Sequence, residues 1–208
     1  MSAGREEALA RSRAAALAAL RATPTPVSWR AQAWRVVAGV AGTGLLGAAA
    51  ALAASLSGWP RVLERAPLLL GLLATAALAG VAALAPPRGR LWRAVVLAGG
   101  PALMAALVLS RGPGTPSSMP EWVCSASHVG IGLIPLTFAL WGLRQSAWRW
   151  SRALAAGLGA GTAGALLGEL ACHRGAQHVL VHHVGAWIVV AAACVVLSRR
   201  ARPRTFAP

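Results

Sequence analysis

VVAGVAGTGLLGAAAALAASLS, residues 36–57, is the stretch that decides the fold, because its 22 consecutive residues carry no charge. An α-helix rises about 1.5 Å per residue, so the stretch covers about 33 Å, slightly more than the hydrocarbon core of a bilayer. Lipid offers no hydrogen bonds to the backbone, whereas a helix satisfies its own backbone groups. The stretch is therefore predicted to be a transmembrane helix.

Five further apolar stretches of similar length follow along the chain. The third span contains Arg93 near its start and Gly99, Gly100 and Pro101 in its middle, which predicts a kinked or short helix. The six predicted spans are 36–57, 66–85, 91–110, 122–143, 153–171 and 179–197. The sequence therefore predicts an all-α fold, a polytopic membrane bundle of six transmembrane helices.

The overall composition agrees with a membrane location. Of the 208 residues, 57% are hydrophobic and 12% are charged, which is unlike a soluble domain. A formal net charge of +15 would suggest nucleic-acid binding in a soluble protein. Most arginines here lie between apolar stretches, where they fix orientation and contact anionic headgroups. We therefore expect contact with the lipid bilayer and no direct nucleic acid binding.

The distribution of arginine predicts the orientation. Sixteen arginines lie in the N-terminal segment, the second and fourth connections and the tail, against four in the other three connections. Cytoplasmic segments are enriched in arginine, so both termini are predicted to be cytoplasmic. The chain then divides into a cytoplasmic N-terminal segment, 1–35, a transmembrane domain, 36–198, and a cytoplasmic tail, 199–208.

The N-terminal segment contains a predicted short helix, Ser2–Ala22, which Pro24 and Pro26 terminate. This helix either rests on the headgroups or serves as an attachment point for another protein. Six arginines and two glutamates among the first 35 residues argue against a cleavable signal peptide.

Cysteine and histidine are concentrated at the predicted outer face. Cys124 and His128 are four residues apart, so they share one face of the fourth span. Two of the three cysteines and all five histidines belong to this outer group: Cys124, His128, Cys172, His173, His178, His182 and His183. Cys194 lies near the inner end of the sixth span and is interpreted as a small apolar packing residue.

The fifth span carries a stripe of glycine. The stripe consists of Gly157, Gly161, Gly164 and Gly168. Small residues at steps of three and four allow another helix to approach closely. One further step of four reaches Cys172, which is expected to point into the bundle. Glu169 lies close to the hydrocarbon and needs a partner, for which Arg174, a protonated histidine and a bound cation are the alternatives.

Two chemistries fit the outer group. Thiolate and imidazole ligands in a tetrahedral arrangement suit zinc or another soft divalent metal. The candidate ligands are Cys124, His128, Cys172 and His182. The candidate surrounding residues are Glu169, His173, His178 and His183. Alternatively, Cys124 and Cys172 form a disulfide, because the outer face is oxidising. The chain contains neither a CxxC nor an HExxH motif, so both chemistries stay open.

Several of these elements occur in the same order in a known family. They are a cytoplasmic start, the entry PTPVSWR at residues 24–30, six spans, and an arginine-rich end at Arg199 and Arg200. In the C-terminal half, Cys124 heads the fourth span, Arg144 marks the next turn, and a glycine-rich span leads to Cys172. In these features the chain resembles the NrsF-type membrane anti-sigma factors of proteobacteria. It departs from them after Cys172, where HRGAQHVLVHH replaces an acidic stretch and favours softer metal ions.

The resemblance implies a function and a location. The protein is expected to hold an extracytoplasmic-function sigma factor at the bacterial inner (cytoplasmic) membrane, with Cys124 and Cys172 as the sensing thiols. Release would follow when the periplasmic-side Cys/His cluster meets metal or oxidant. The alternatives are a metal-ion transporter, or a haem-binding protein that uses His128 and His182. No nucleophile–base arrangement or phosphate-binding loop is evident, so we expect no enzymatic activity.

Overall fold

The computed structural model describes residues 3–22, 28–53, 59–85, 89–115, 119–144 and 148–200, and no β-strand occurs among them. Seven helices follow one another along the chain: α1 Ala3–Ala22, α2 Trp29–Ala53, α3 Trp59–Leu84, α4 Arg90–Leu109, α5 Glu121–Arg144, α6 Trp150–Ala171 and α7 Ala176–Arg200. The all-α prediction is confirmed. The predictions for Pro24, Pro26 and residues 201–208 fall outside the described residues.

Helices α2 to α7 are all long and apolar enough to cross a membrane, which confirms the six predicted spans. All six spanning helices begin earlier than predicted, and the largest differences are at α2, which begins at Trp29, and at α3, which begins at Trp59. The early start of α3 places Arg61 and Arg65 on its first turns instead of in a loop. Helix α4 continues through Pro101 and, at 20 residues, is the shortest of the six.

Large apolar side chains cover the outside of the bundle. Leu46 on α2, Leu70 on α3, Phe138 on α5 and Val189 on α7 are all exposed, although their helices are strongly apolar. A soluble monomer rarely exposes such a surface. These side chains are therefore the lipid-facing surface of a membrane protein.

Helix α6 is the centre of the bundle. Over its apolar 18-residue stretch, 83% of the residues are buried, compared with 39% or less in the other five spanning helices. It packs against α2, α3, α4, α5 and α7. Its apolar stretch consists mainly of alanine and glycine, and small residues allow this number of neighbours to approach one axis.

The glycine stripe of α6 is where α5 and α7 come closest. A Cβ atom on Gly157 would lie 2.6 Å from the Cα atom of Ala191, and one on Gly161 would collide with the indole of Trp187. The Trp187 indole donates a 2.8 Å hydrogen bond to the carbonyl of Leu158, which fixes the ring against α6. Gly164 in turn leaves room for His128 of α5.

The two ends of the bundle differ in their polar contacts. At the end where α3 finishes and α4 begins, the buried Arg93 donates a 3.2 Å hydrogen bond to the carbonyl of Ala82. Arg152 at the start of α6 donates to the carbonyl of Ala85. At the opposite end, the α4–α5 connection meets the α6–α7 connection, where the amide of Thr115 donates to the carbonyl of His173 at 3.1 Å.

Because α7 packs closely against Gly161, adding one methyl group at this position should reduce stability strongly. Gly161→Ala should lower the free energy of unfolding by about 1–3 kcal/mol, because the added Cβ atom displaces Trp187. Equilibrium unfolding in detergent micelles measures this change. Gly130→Ala is the matched control, since a Cβ atom there meets nothing within 4 Å. The control should change stability by no more than about 1 kcal/mol, in the stabilising direction. Equal effects of the two substitutions would contradict the packing described here.

Candidate functional site

Three helix ends meet at one end of the bundle and carry most of the chemistry-bearing side chains. They are the start of α5, the end of α6 and the start of α7. Cys172 ends α6, and its amide donates a 3.0 Å hydrogen bond to the carbonyl of Gly168. Cys124 lies on the first turn of α5, and both cysteines are free thiols.

The start of α7 is not a regular α-helix. Residues Val179–Val184 form a π-helical turn between the short α-helical start Ala176–His178 and the α-helix Gly185–Arg200. Residues five apart differ by about 140° around an α-helix. A π turn closes its hydrogen bonds five residues apart, so it brings His178 and His183 closer to one face. Their ring centroids are 5.6 Å apart.

The first group of possible ligands comprises Cys124, Cys172, His178 and His183. One ligand atom of each lies within 4.8 Å of those of the other three. Both histidines are 8% exposed. Gly168 has no side chain to fill the space that the His183 ring occupies. The two predicted sensing thiols are therefore neighbours, and two histidines of α7 join them.

The predicted metal set was different, and the structure does not bring its four members together. It contained His128 and His182 in place of His178 and His183. His128 is 2% exposed and lies deeper, with its ring centroid 5.9 Å from that of His183. His182 faces another group at the surface. The π turn, which the sequence analysis did not predict, brings His183 and not His182 to the thiols.

The second group comprises Glu121, His178 and His182, and it joins α5 to α7. Nε2 of His182 lies 3.1 Å from Oε2 of Glu121, and Nδ1 of His182 lies 2.9 Å from Oγ of Ser125. Arg174 donates to Oε1 of Glu121 at 2.9 Å and to the carbonyl of Met119 at 2.7 Å. These contacts tie the α6–α7 connection to the start of α5.

Glu169 is the buried acid of the site and lies among three arginines. Arg111 pairs with its carboxylate, and Nε of Arg65 lies 3.7 Å from Oε2. Arg61 donates to the Glu169 carbonyl at 3.3 Å and to the Cys172 carbonyl at 2.9 Å. Cationic groups stabilise the end of a helix whose last carbonyls have no helical partner.

The sequence left three partners for Glu169 open, and of these the pairing with Arg174 is wrong. Arg174 bonds to Glu121 instead, and Arg111 and Arg65 are the partners of Glu169. The reason is the path of the connections, since Arg111 at the end of α4 lies beside the last turn of α6. The sequence placed Arg174 near Glu169 along the chain but carried no information on the path of the connections.

His173 takes no part in either group and is exposed at the connection after α6. Partial burial and the positive charge of Arg61 lower the pKa of His173, with a smaller effect of Arg111 in the same direction. Both effects favour the neutral imidazole of His173 over its protonated form.

A cavity of about 700 Å³ borders the first group. Both thiols, His183 and His128 contribute to its wall, together with apolar residues of α2, α5 and α6. A volume of this size is typical of a small-ligand site. The cavity gives small ions or reagents a route to the thiols.

Several residues of the site were not singled out from the sequence. They are Glu121, Ser125, Arg61, Arg65 and Arg111. One signal was available, because four arginines remain on the predicted arginine-poor face, where they do not serve orientation. All four, including Arg174, bond to the ends of helices or to the acids of this site.

A comparison with curated proteins finds a relative. The chain is 46% identical over 181 residues to carotenogenesis protein CarR of Myxococcus xanthus, a match that covers 86% of this chain and 81% of CarR. The chain belongs to the CarR family. No family model matches it, and no solved structure matches it. The relative found is CarR, so the resemblance to the NrsF-type family stays a prediction.

The buried ion pair of this CarR family member predicts the effect of neutralising Glu169. Glu169→Gln should lower the free energy of unfolding by about 3 kcal/mol, because Arg111 and Arg65 then lie beside an uncharged amide. Equilibrium unfolding in micelles is the measurement. Glu64→Gln provides the control, since the Glu64 side chain is 66% exposed and contacts the same Arg65 at 3.9 Å. Its effect should stay below about 1 kcal/mol.

The proximity of the thiols predicts a specific oxidation product. Diamide, a two-electron thiol oxidant, should join Cys124 to Cys172, with two electrons and two protons passing to the reagent. Mass spectrometry of unreduced peptides detects the crosslink. Cys194 is 0% exposed and packs beside Gly157, so it should remain a free thiol. A crosslink that includes Cys194 would contradict the arrangement of the three cysteines.

Proposed function

We propose that this protein is a membrane anti-sigma factor. It holds an extracytoplasmic-function sigma factor at the cytoplasmic face of the bacterial inner membrane. It releases the sigma factor when the Cys/His cluster on the periplasmic side senses metal or oxidant. The proposal includes no catalytic activity.

The observation that carries the proposal is the separation of two unlike ends on one close-packed bundle. At one end, two free thiols lie close to His178, His182 and His183. Both thiols and His183 line the cavity. Helix α6 runs from Arg152 near the other end to Glu169 and contacts all five other spanning helices. A change at the thiols therefore acts on the helix that positions the whole bundle, as a transmembrane signal requires.

Helix α1 supplies a surface for a cytoplasmic partner. Residues 4–19 are all exposed, and α1 contributes little to the bundle. With both termini cytoplasmic, as the arginine distribution predicts, α1 lies on the side where a sigma factor is found. The proposed partners are the sigma factor and the lipid bilayer, without direct contact to nucleic acid.

Two likenesses support the regulatory role. The order of elements and the two cysteines resemble the NrsF-type anti-sigma factors. The relative CarR is described as a carotenogenesis protein. We extend this to the present chain by proposing that the released sigma factor acts on genes of carotenoid synthesis.

The signal is proposed to act by joining α5 to the end of α6 and the start of α7. Oxidation would join Cys124 to Cys172 directly, and a metal ion would join the same thiols through its ligand bonds. Either event favours one arrangement of the bundle over another. Coupling between distant sites amounts typically to about 1–3 kcal/mol, enough to change partner affinity about 5- to 150-fold.

A metal transporter is less consistent with the geometry. Transport requires polar ligands along the membrane interior. Among the described residues, the buried charged side chains Arg65, Arg93, Arg152 and Glu169 lie near the two ends of the bundle. Between them, the buried Thr162 hydroxyl donates to its own helix at 2.6 Å.

A haem site between His128 and His182 is also disfavoured. His182 bonds to Ser125 and Glu121 near the surface. His128 is packed against Gly164 between α5 and α6. Two axial ligands must face one slot wide enough for the macrocycle, and these two histidines do not.

The proposal predicts a co-purifying protein that the signal removes. A small sigma factor should be recovered with the wild-type chain purified from its native host in mild detergent, and oxidant or cadmium should dissociate it. The Cys124→Ser, Cys172→Ser double variant should retain the sigma factor under both treatments. Mass spectrometry of the purified material provides the readout.

The matched control is Cys194→Ser, which removes the third thiol and leaves the pair intact. This variant should release the partner as the wild type does. Absence of any sigma factor from every sample would refute the anti-sigma role. Release from the double variant would refute only the role of the two thiols.

A further inference from the structure

We propose that Cys124, Cys172, His178 and His183 form one tetrahedral binding site for zinc or a similar soft or borderline divalent ion. The two histidines reach the site through the π turn of α7. The inference deepens the proposed function, and the signalling role of the site rests on that function. The binding of the metal ion is independent of it.

The geometry of the four ligand atoms is the first argument. All lie within 4.8 Å of one another. Zinc bonds of about 2.3 Å to sulfur and 2.0 Å to nitrogen place tetrahedral ligands about 3.3–3.8 Å apart. The ligand atoms therefore need to approach one another by at most about 1.5 Å to reach ligand distances.

Unpaired buried nitrogens are the second and independent argument. His178 and His183 are each 92% buried, as their 8% exposure gives. Among the described residues, both ring nitrogens of His178 and Nε2 of His183 lack a hydrogen-bond partner. Buried polar atoms in folded proteins normally have partners, and an ion is one explanation where they do not. A metal bond would satisfy one nitrogen of each ring.

The π turn is the third argument. It inserts a wider turn at the point where α7 passes the end of α6, and π-helical turns frequently occur at functional sites. An unbroken α-helix would turn His183 about 140° away from His178. The turn therefore has the effect of placing a second imidazole beside the thiols.

The chemistry of the ligands selects the class of ion. Two thiolates and two neutral imidazoles are the ligands of structural zinc sites, and no carboxylate belongs to this set. Binding displaces one proton from each thiol to water, so the site carries no net charge with Zn²⁺ bound. Because the occupied site carries no net charge, the nearby Arg111 and Arg174 do not repel it.

The surroundings supply support and access. Arg111 and Arg61 both donate to the carbonyl of Cys172, which fixes the backbone of one ligand. Oε1 of Glu121 lies 3.7 Å from Nδ1 of His178, beyond hydrogen-bond distance, so the second group approaches this ring without pairing its nitrogens. The cavity of about 700 Å³ includes both thiols and His183 in its wall, and ions can enter there.

Cobalt(II) titration of the full chain in mild detergent tests the assignment. The reduced, metal-free wild type should bind one Co²⁺ per chain, with thiolate-to-cobalt absorption, and Zn²⁺ should displace it. His178→Ala and His183→Ala should each weaken binding at least about 100-fold, since even the loss of an outer partner costs about 10- to 100-fold. Cys124→Ser and Cys172→Ser should each reduce the thiolate absorption.

The controls are histidines outside the ligand set. His173→Ala should bind Co²⁺ within about threefold of the wild type, less than 1 kcal/mol. His182→Ala should keep the thiolate-to-cobalt absorption and bind more tightly than His183→Ala, because His182 belongs only to the second group. If an alanine variant does not fold, His178→Cys and His183→Cys replace it and should bind with increased thiolate absorption. The assignment is overturned if the wild type binds no stoichiometric Co²⁺, or if the His182 variant loses binding while the His183 variant keeps it.

The outcome separates this assignment from the anti-sigma proposal. If a sigma factor co-purifies with the wild-type chain but the chain binds no Co²⁺, only the assignment of the metal site is overturned. A wild type that binds Co²⁺ as expected but recovers no sigma factor would leave the metal site and refute the partner.

Discussion

Close packing against the small residues of α6 is the constraint on which the rest of the structure depends. Lipid tails are as apolar as the side chains that they contact, so helices in a bilayer associate through close packing and hydrogen bonds. Helix α6 provides that contact on every side, because glycine and alanine let five helices reach it. The stripe also makes room for chemistry, since Gly164 and Gly168 leave space for His128 and His183. The same residues that hold the bundle together therefore position the histidines.

The end of α6 shows how charge is used inside this bundle. Arg61 and Arg111 donate hydrogen bonds to the last carbonyls of this helix end. Arg65 and Arg111 form ion pairs with the carboxylate of Glu169. At the end of α3, Arg93 and Arg152 likewise donate hydrogen bonds to backbone carbonyls. Part of the net charge of +15 thus satisfies helix ends, in addition to its expected role in orientation. Arginine suits this role, since its guanidinium carries several donors in a fixed plane.

The sequence was sufficient for features that depend on local composition and spacing. Six apolar stretches predicted the six spans, because the bilayer imposes a similar length on each. The predicted starts of α2 and α3 were seven residues too late, since these helices begin at Trp29 and Trp59. The site was predicted only in part. Cys124 and Cys172 lie together as expected, but the accompanying histidines are His178 and His183. That choice depends on a π turn, and the partner of Glu169 depends on the path of the α4–α5 connection. Neither is encoded in regular helical spacing.

The position of the cluster also limits how a signal can travel. A close-packed interior does not absorb a displacement gradually, because small movements meet neighbouring atoms at once. Its contacts change instead between a few discrete arrangements. A bond between Cys124 and the end of α6 acts beside Gly164 and Gly168, where the rings of His128 and His183 pack against the helix. An ion or a disulfide shifts the balance only by the difference in its binding to the two arrangements. The proposed sensor therefore requires strained ligand geometry in one arrangement and relaxed geometry in the other, and the 4.8 Å spread of the ligand atoms is compatible with the more open one.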